Sequence, residues 1–153
     1  MALTINTHPT GYLELLDGTI DWAVTPITAI LVTDTHTPLT TEIQFDEITN
    51  ECTDDDYSRQ QVTTVALSLN TGKVRYTHDL IDFTSEAPAG KGDVVGRYVY
   101  YIAGTAGALN ATDRIIGHVD LTGGGNATAI GAVFSYAANA TNGLFEIAQP
   151  EAV

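Results

Sequence analysis

Apolar residues along the chain fall in short bursts bounded by Gly, Pro, Asn or Asp, and the bursts keep two different rhythms. ITAILVT (27–33) is almost continuously apolar, the pattern of a strand covered on both faces. GRYVYYIAG (96–104) alternates, with Tyr98, Tyr100 and Ile102 on one face and Arg97, Val99 and Tyr101 on the other. EIQFDEI (42–48) alternates as well. It predicts an edge or half-buried strand with Ile43 and Phe45 inward, Ile48 inward after a change of register, and Glu42, Gln44 and Asp46 outward.

QVTTVALSL (61–69) and KVRYTHDLIDF (73–83) flank NTG (70–72), where Asn and Gly accept positive φ, so the two runs predict a hairpin. RIIGHVDL (114–121), AIGAVFSYA (129–137) and LFEIA (144–148) supply further strands. Helical spacing occurs in HPTGYLELLDG (8–18), where Tyr12, Leu13 and Leu16 share a face, Thr10 can cap and Gly18 can terminate. The fold class expected is therefore mainly β: an antiparallel β-sandwich or jelly roll with one short N-terminal helix. An N-terminal arm (1–11) would precede a single domain (12–153).

Composition narrows the partners. The 153 residues are 44% hydrophobic and 16% charged, enough apolar content for a packed core in a chain of one-domain length. Six Lys and Arg stand against nineteen Asp and Glu, a net charge of -13, so nucleic acid and anionic membrane surfaces would repel the molecule and neither is an expected partner. Cys52 is the sole cysteine and has no disulfide mate within the chain. MALTINTHPTGY has neither a basic n-region nor an apolar h-region, and no apolar stretch has the length of a bilayer span, so a soluble protein without an export signal is expected. N-A-T occurs at 110–112, 126–128 and 139–141 and matches the glycosylation acceptor, but its placement between β-prone runs reads as turn chemistry.

The candidate chemistry is sparse. In NECTDDDYSRQQVT (50–63), Glu51, Asp54 and Asp56 could share one cation. Adjacent aspartates point apart, however, and no glycine bends the run as a calcium loop requires, which favours a solvated corner between strands. His118 and Asp120 would share a strand face, as an acid/base pair must, whereas His78 and Asp79 would lie on opposite faces. His8, His36, His78 and His118 have no zinc-type spacing, no serine lies in a G-x-S-x-G setting, and LTGGGNAT (121–128) lacks the lysine of a phosphate cradle. No cofactor is expected. Trp22, Tyr98, Tyr100 and Tyr101 could stack on sugars in a carbohydrate-binding module, although alternating aromatics in a strand are usually core.

The order YLELLDGTIDW…ITAILVTDTHTP, DEITNECTDDDYSRQQVT, LSLNTGKVRYTHDLIDF, GRYVYYIAGTAG…RIIGHVDLTGG and ATNGLFEI resembles a family of small tailed-bacteriophage virion structural proteins over residues 12 to 148. Asn50, Glu51, Tyr57, Arg59 and Gln60 match that family's strand-entry segment, with aspartates at 54–56 where relatives carry a Gly-Thr-Gly turn. The resemblance implies a non-enzymatic particle component made in the bacterial cytoplasm. It would be a homotrimeric decoration (cement) protein on the major capsid protein at the capsid exterior or, alternatively, a tail or neck protein joining rings or carrying a fibre. The acidic charge suits an outer-shell position. Leu3, Ile5 and His8 in the arm are the expected partner contacts, by addition of a strand to a neighbour's sheet edge.

Overall fold

A computed structural model describes residues 5–53, 57–63, 66–70, 73–79, 81–83, 94–121, 128–130, 135–136 and 145–148. Its strands are β1 (Ile5–Thr7), β2 (Ile27–Val32), β3 (Gln60–Gln61), β4 (Ala66–Asn70), β5 (Lys73–Thr77), β6 (Ile81–Asp82), β7 (Val94–Gly96), β8 (Tyr98–Ala103), β9 (Arg114–Asp120), β10 (Thr128–Ile130), β11 (Ser135–Tyr136) and β12 (Phe145–Ala148). One helix, α1 (Pro9–Leu16), lies between β1 and β2. The protein is thus mainly β with one short helix, as its periodicities predict.

The largest sheet has five strands in the order β1-β9-β8-β2-β3, all pairs antiparallel. A three-stranded sheet, β12-β5-β4, and the pairs β10-β7 and β11-β6 complete the described strands. β2 is buried at every position, as its unbroken apolar run requires. The hairpin is present: Asn70 lies opposite Lys73, which leaves only residues 71 and 72 between β4 and β5.

The central layer of β2, β8 and β9 separates two groups of buried side chains. Leu31, Val99, Tyr101, Ile116 and Val119 belong to the first, together with Trp22, Tyr76, Ile81 and Phe83. Ile30, Val32, Tyr98, Tyr100, Ile102 and Ile115 form the second. A bulge in β9 sets which isoleucine joins which group. Tyr101 pairs with Gly117 but Ile102 with Ile115, so Ile116 is the extra residue and both isoleucines reach opposite buried faces. At Gly117 the neighbouring β1 passes so close that a Cβ would meet the Asn6 carbonyl oxygen at 2.7 Å.

Three local expectations change. Within the expected arm, residues 5–7 form the sheet-edge strand β1 and α1 follows directly. Helix α1 begins at Pro9, with its missing N–H at a position that needs none, so Thr10 lies inside the helix and His8 is the N-cap. The helix buries Gly11 and Leu15 and leaves Leu13 and Leu16 exposed, because a Cβ at residue 11 would overlap the Ile115 carbonyl and the glycine lets the helix lie on β9 along that line. Gly18 ends the helix as expected, at φ 81°. Residues 42–48 form no strand; Phe45–Glu47 is a short 3-10 helix whose Gln44 and Glu47 make a capping box, and Glu42 is buried rather than outward.

Candidate functional site

All four histidines are buried: His8 is 0% exposed, His36 4%, His78 8% and His118 6%. Three of them converge on the second face of the central layer. His8 arrives at the start of α1, His36 and Glu42 come from the segment after β2, and Tyr98, Tyr100 and His118 project from β8 and β9. Tyr100 lies opposite His118 in the ladder and the two rings stack with centroids 5.1 Å apart. His8 meets His118 edge-on at 5.2 Å, and His36 meets Tyr100 in the same manner at 5.5 Å.

The hydrogen bonds have a readable direction. His8 Nδ1 lies 2.9 Å from the Glu42 carbonyl oxygen, which can only accept, so His8 Nδ1 carries the hydrogen. When its ring is neutral, His8 Nε2 therefore accepts from His118 Nδ1–H at 2.9 Å. His118 Nε2 is then the acceptor facing the Asn6 amide nitrogen at 3.4 Å. A second chain starts at Tyr100, whose hydroxyl donates to Glu42 Oε2 at 3.0 Å and accepts from His36 Nε2 at 2.7 Å. His36 Nε2 also lies 3.4 Å from Glu42 Oε1, and His36 Nδ1 is 3.1 Å from the Thr49 hydroxyl. With neutral rings every polar atom in both chains has a partner, which is the condition for holding so many polar groups in a dry interior.

Burial shifts the ionisations. It pulls His118 down to about 4, helped by the nearby His8 and His36 and opposed by Asp120. His36 is lowered by burial against the pull of Glu42. The Tyr100 hydroxyl is raised, first by burial and then by Glu42, so it stays a donor. His78, on the opposite side of the layer, is lowered by burial and bonds the Tyr101 hydroxyl at 2.9 Å.

The residues singled out in the sequence are distributed differently. Ile5 and His8, expected on a partner-binding arm, are buried in this chain: Ile5 in the first cluster and His8 in the histidine network, because β1 completes the sheet edge against β9. Leu3 lies outside the described residues. So do Asp54 and Asp56, but Glu51 is already engaged, accepting from Arg59 Nε and Nη2 at 2.8 and 2.9 Å and from the Tyr57 hydroxyl at 2.8 Å. Both Glu51 carboxylate oxygens are thus satisfied by this chain's own donors. Tyr57 also accepts from the Leu31 amide at 3.1 Å and so anchors the chain to β2 after the acidic corner.

His118 bonds His8 at 2.9 Å, while Asp120 is held by Arg97 at 3.0 Å. Trp22, Tyr98, Tyr100 and Tyr101 are all buried, which leaves none of these rings as a stacking surface for sugars. Asn110 of the first N-A-T sits in a turn with Asp113, its amide donating to Asp113 Oδ2 at 2.8 Å. Among the described residues no group of three or more His, Cys, Asp or Glu is arranged to hold a metal, and no helix is long and apolar enough to cross a membrane.

The His8–His36–His118 convergence was not predicted. Its members lie up to 110 residues apart, beyond any spacing motif. The one local sign is a histidine inside the apolar strand sequence RIIGHVDL, which must find a buried partner. The chain matches no known protein family, no curated protein and no solved structure.

Proposed function

We propose that this chain is a structural component of a bacteriophage virion: a capsid decoration protein that docks as a homotrimer on the outer surface of the major capsid protein. The sequence pattern over residues 12 to 148 supports the family reading. The observation that carries the functional one is the use of the titratable interior. All four histidines, Glu42 and the β8 tyrosines are buried and, where their bonds are seen, tied to one another, to neighbouring polar side chains or to backbone, so they brace the sheet. What remains outside is strongly acidic, suited to a protein held at high copy number away from packaged nucleic acid.

The same reading takes the fold to be a β-sandwich, with β12-β5-β4 and β11-β6 covering the first face of the five-stranded sheet. Tyr76, Ile81 and Phe83 share a core cluster with Leu31, Val99 and Tyr101, and the His78–Tyr101 bond supports this layering.

The test is to add purified protein to expanded capsids and to isolated tails of the phage and to image both. Regular density on the capsid exterior is expected. Density confined to tails or necks would establish the alternative placement, and binding to neither would refute both.

A further inference from the structure

Among the described residues β1 is short, lies at the sheet edge and pairs with β9 alone, so it is retained by its ladder, the burial of Ile5, the His8–His118 contact and the bond from His8 Nδ1–H to the Glu42 carbonyl. The His8 amide adds one bond to the Ile116 carbonyl at 3.0 Å. Beyond His8 the chain is secured separately, because α1 sits on β9 through Gly11. The segment 5–8 is therefore a unit that can detach while the remaining sheet stays whole.

The histidine contact depends on charge. An extra proton anywhere on the pair converts His118 Nε2 into a donor that faces the Asn6 amide nitrogen, and Asn6 belongs to β1 itself. Turning that amide over would accommodate one proton. A second would set N–H against N–H across 2.9 Å.

The surroundings give little relief. Glu42 directs its carboxyl to Tyr100 and His36 and offers His8 only its backbone oxygen. Glu47 is engaged by the amides of Ile43 and Gln44 and acts on His8 through space alone. Asp120 is held by Arg97, Tyr98 presents a ring edge-on to His118, and His36 would add a like charge when protonated. Among the described residues no carboxylate bonds either ring of the pair.

We propose that the His8–His118 contact is a proton-operated clasp, which holds β1 on β9 while both rings are neutral and releases it when acid charges them. Release turns Ile5 and His8 outward and uncovers the edge of β9 at residues 117–119, a ladder open to another strand. The downward displacement of His118 to about 4 agrees in direction with this cost of charging the closed state. The inference does not depend on the virion reading.

Amide hydrogen exchange, corrected for intrinsic rates, tests it on the full chain between pH 7 and pH 4.5. Protection of the His8 amide is expected to fall tenfold or more relative to the β8 amides as pH drops. His118→Gln keeps a donor towards His8 and an acceptor towards Asn6 without titrating, and should hold that ratio constant. Equal loss in β1 and β8 of the wild type, an unchanged ratio, or a titrating ratio in His118→Gln would each overturn the clasp. If His118→Gln does not fold, the wild-type ratio alone decides.

Discussion

The two faces of the β2, β8 and β9 layer are equally dry but differently made. On the first, Leu31, Val99, Ile116 and Val119 contact other apolar side chains, and shape is what matters. On the second, Tyr100, His118, His36, His8 and Glu42 sit among Ile30, Val32, Ile102 and Ile115, and each polar atom needs its partner at one particular angle. The apolar side chains of the first face should therefore respond to lost volume, and the second face to lost direction and, through His36 and His118 against the single His78 of the first, more strongly to pH.

Leu31→Ala should be the most damaging substitution. Leu31 is fully buried and packs where Gly96 gives it room, so the deletion leaves a cavity and should cost about 2–5 kcal/mol in denaturant unfolding with little dependence on pH. Tyr100→Phe removes a single oxygen from the second face yet should cost about 1–3 kcal/mol, because the Glu42 carboxyl loses a donor and His36 Nε2 loses the nearer of its two acceptors in a buried site. A variant as stable as wild type would show that the network contributes nothing.

Acid should separate the faces further. His36 and His118 are held below their ordinary value of 6.5, so the unfolded chain binds protons that the folded chain refuses. Their contribution is complete above pH 6.5 and is lost as pH falls from 6.5 towards about 4, where His118 itself becomes charged. Each histidine charged only in the unfolded chain adds a slope of up to about 1.4 kcal/mol per pH unit, and His78 adds to it in the same direction. Chemical unfolding at pH 7, 6 and 5 should show this slope, and His118→Gln should remove one proton's share.

At the small end, Glu14→Gln breaks the pair of Glu14 with Arg114 at 3.0 Å on the outside of the sheet, where solvent reaches the guanidinium. It should cost about 0.2–1 kcal/mol, and less in high salt.

The contrast also explains what could be read from the sequence. β2, the β4–β5 hairpin and the alternation of β8 were legible because a strand's period is local, and Gly18 was legible as a helix stop because its φ of 81° suits glycine. The same alternation misled at 42–48, where a strand pattern placed Glu42 outside while the capping box of Gln44 and Glu47 turned the backbone into a 3-10 helix. Ile5 and His8 looked like a free arm because nothing near residue 5 announces a partner at residue 119. The histidine network was illegible for the same reason. It exists only once three distant segments meet.

The pairing of the first strand has a consequence for synthesis. Asn6 and His118 stand 112 residues apart, so a chain leaving the ribosome presents the segment around Asn6 long before the surface that receives it has been made. That segment must wait in solvent while the hairpin β4–β5 and the neighbours β8 and β9, whose partners lie close along the chain, assemble first. Residues 5–7 are thus among the last parts to be set in place, and a ribosome stalled before residue 114 would carry a nascent chain in which they are still unseated.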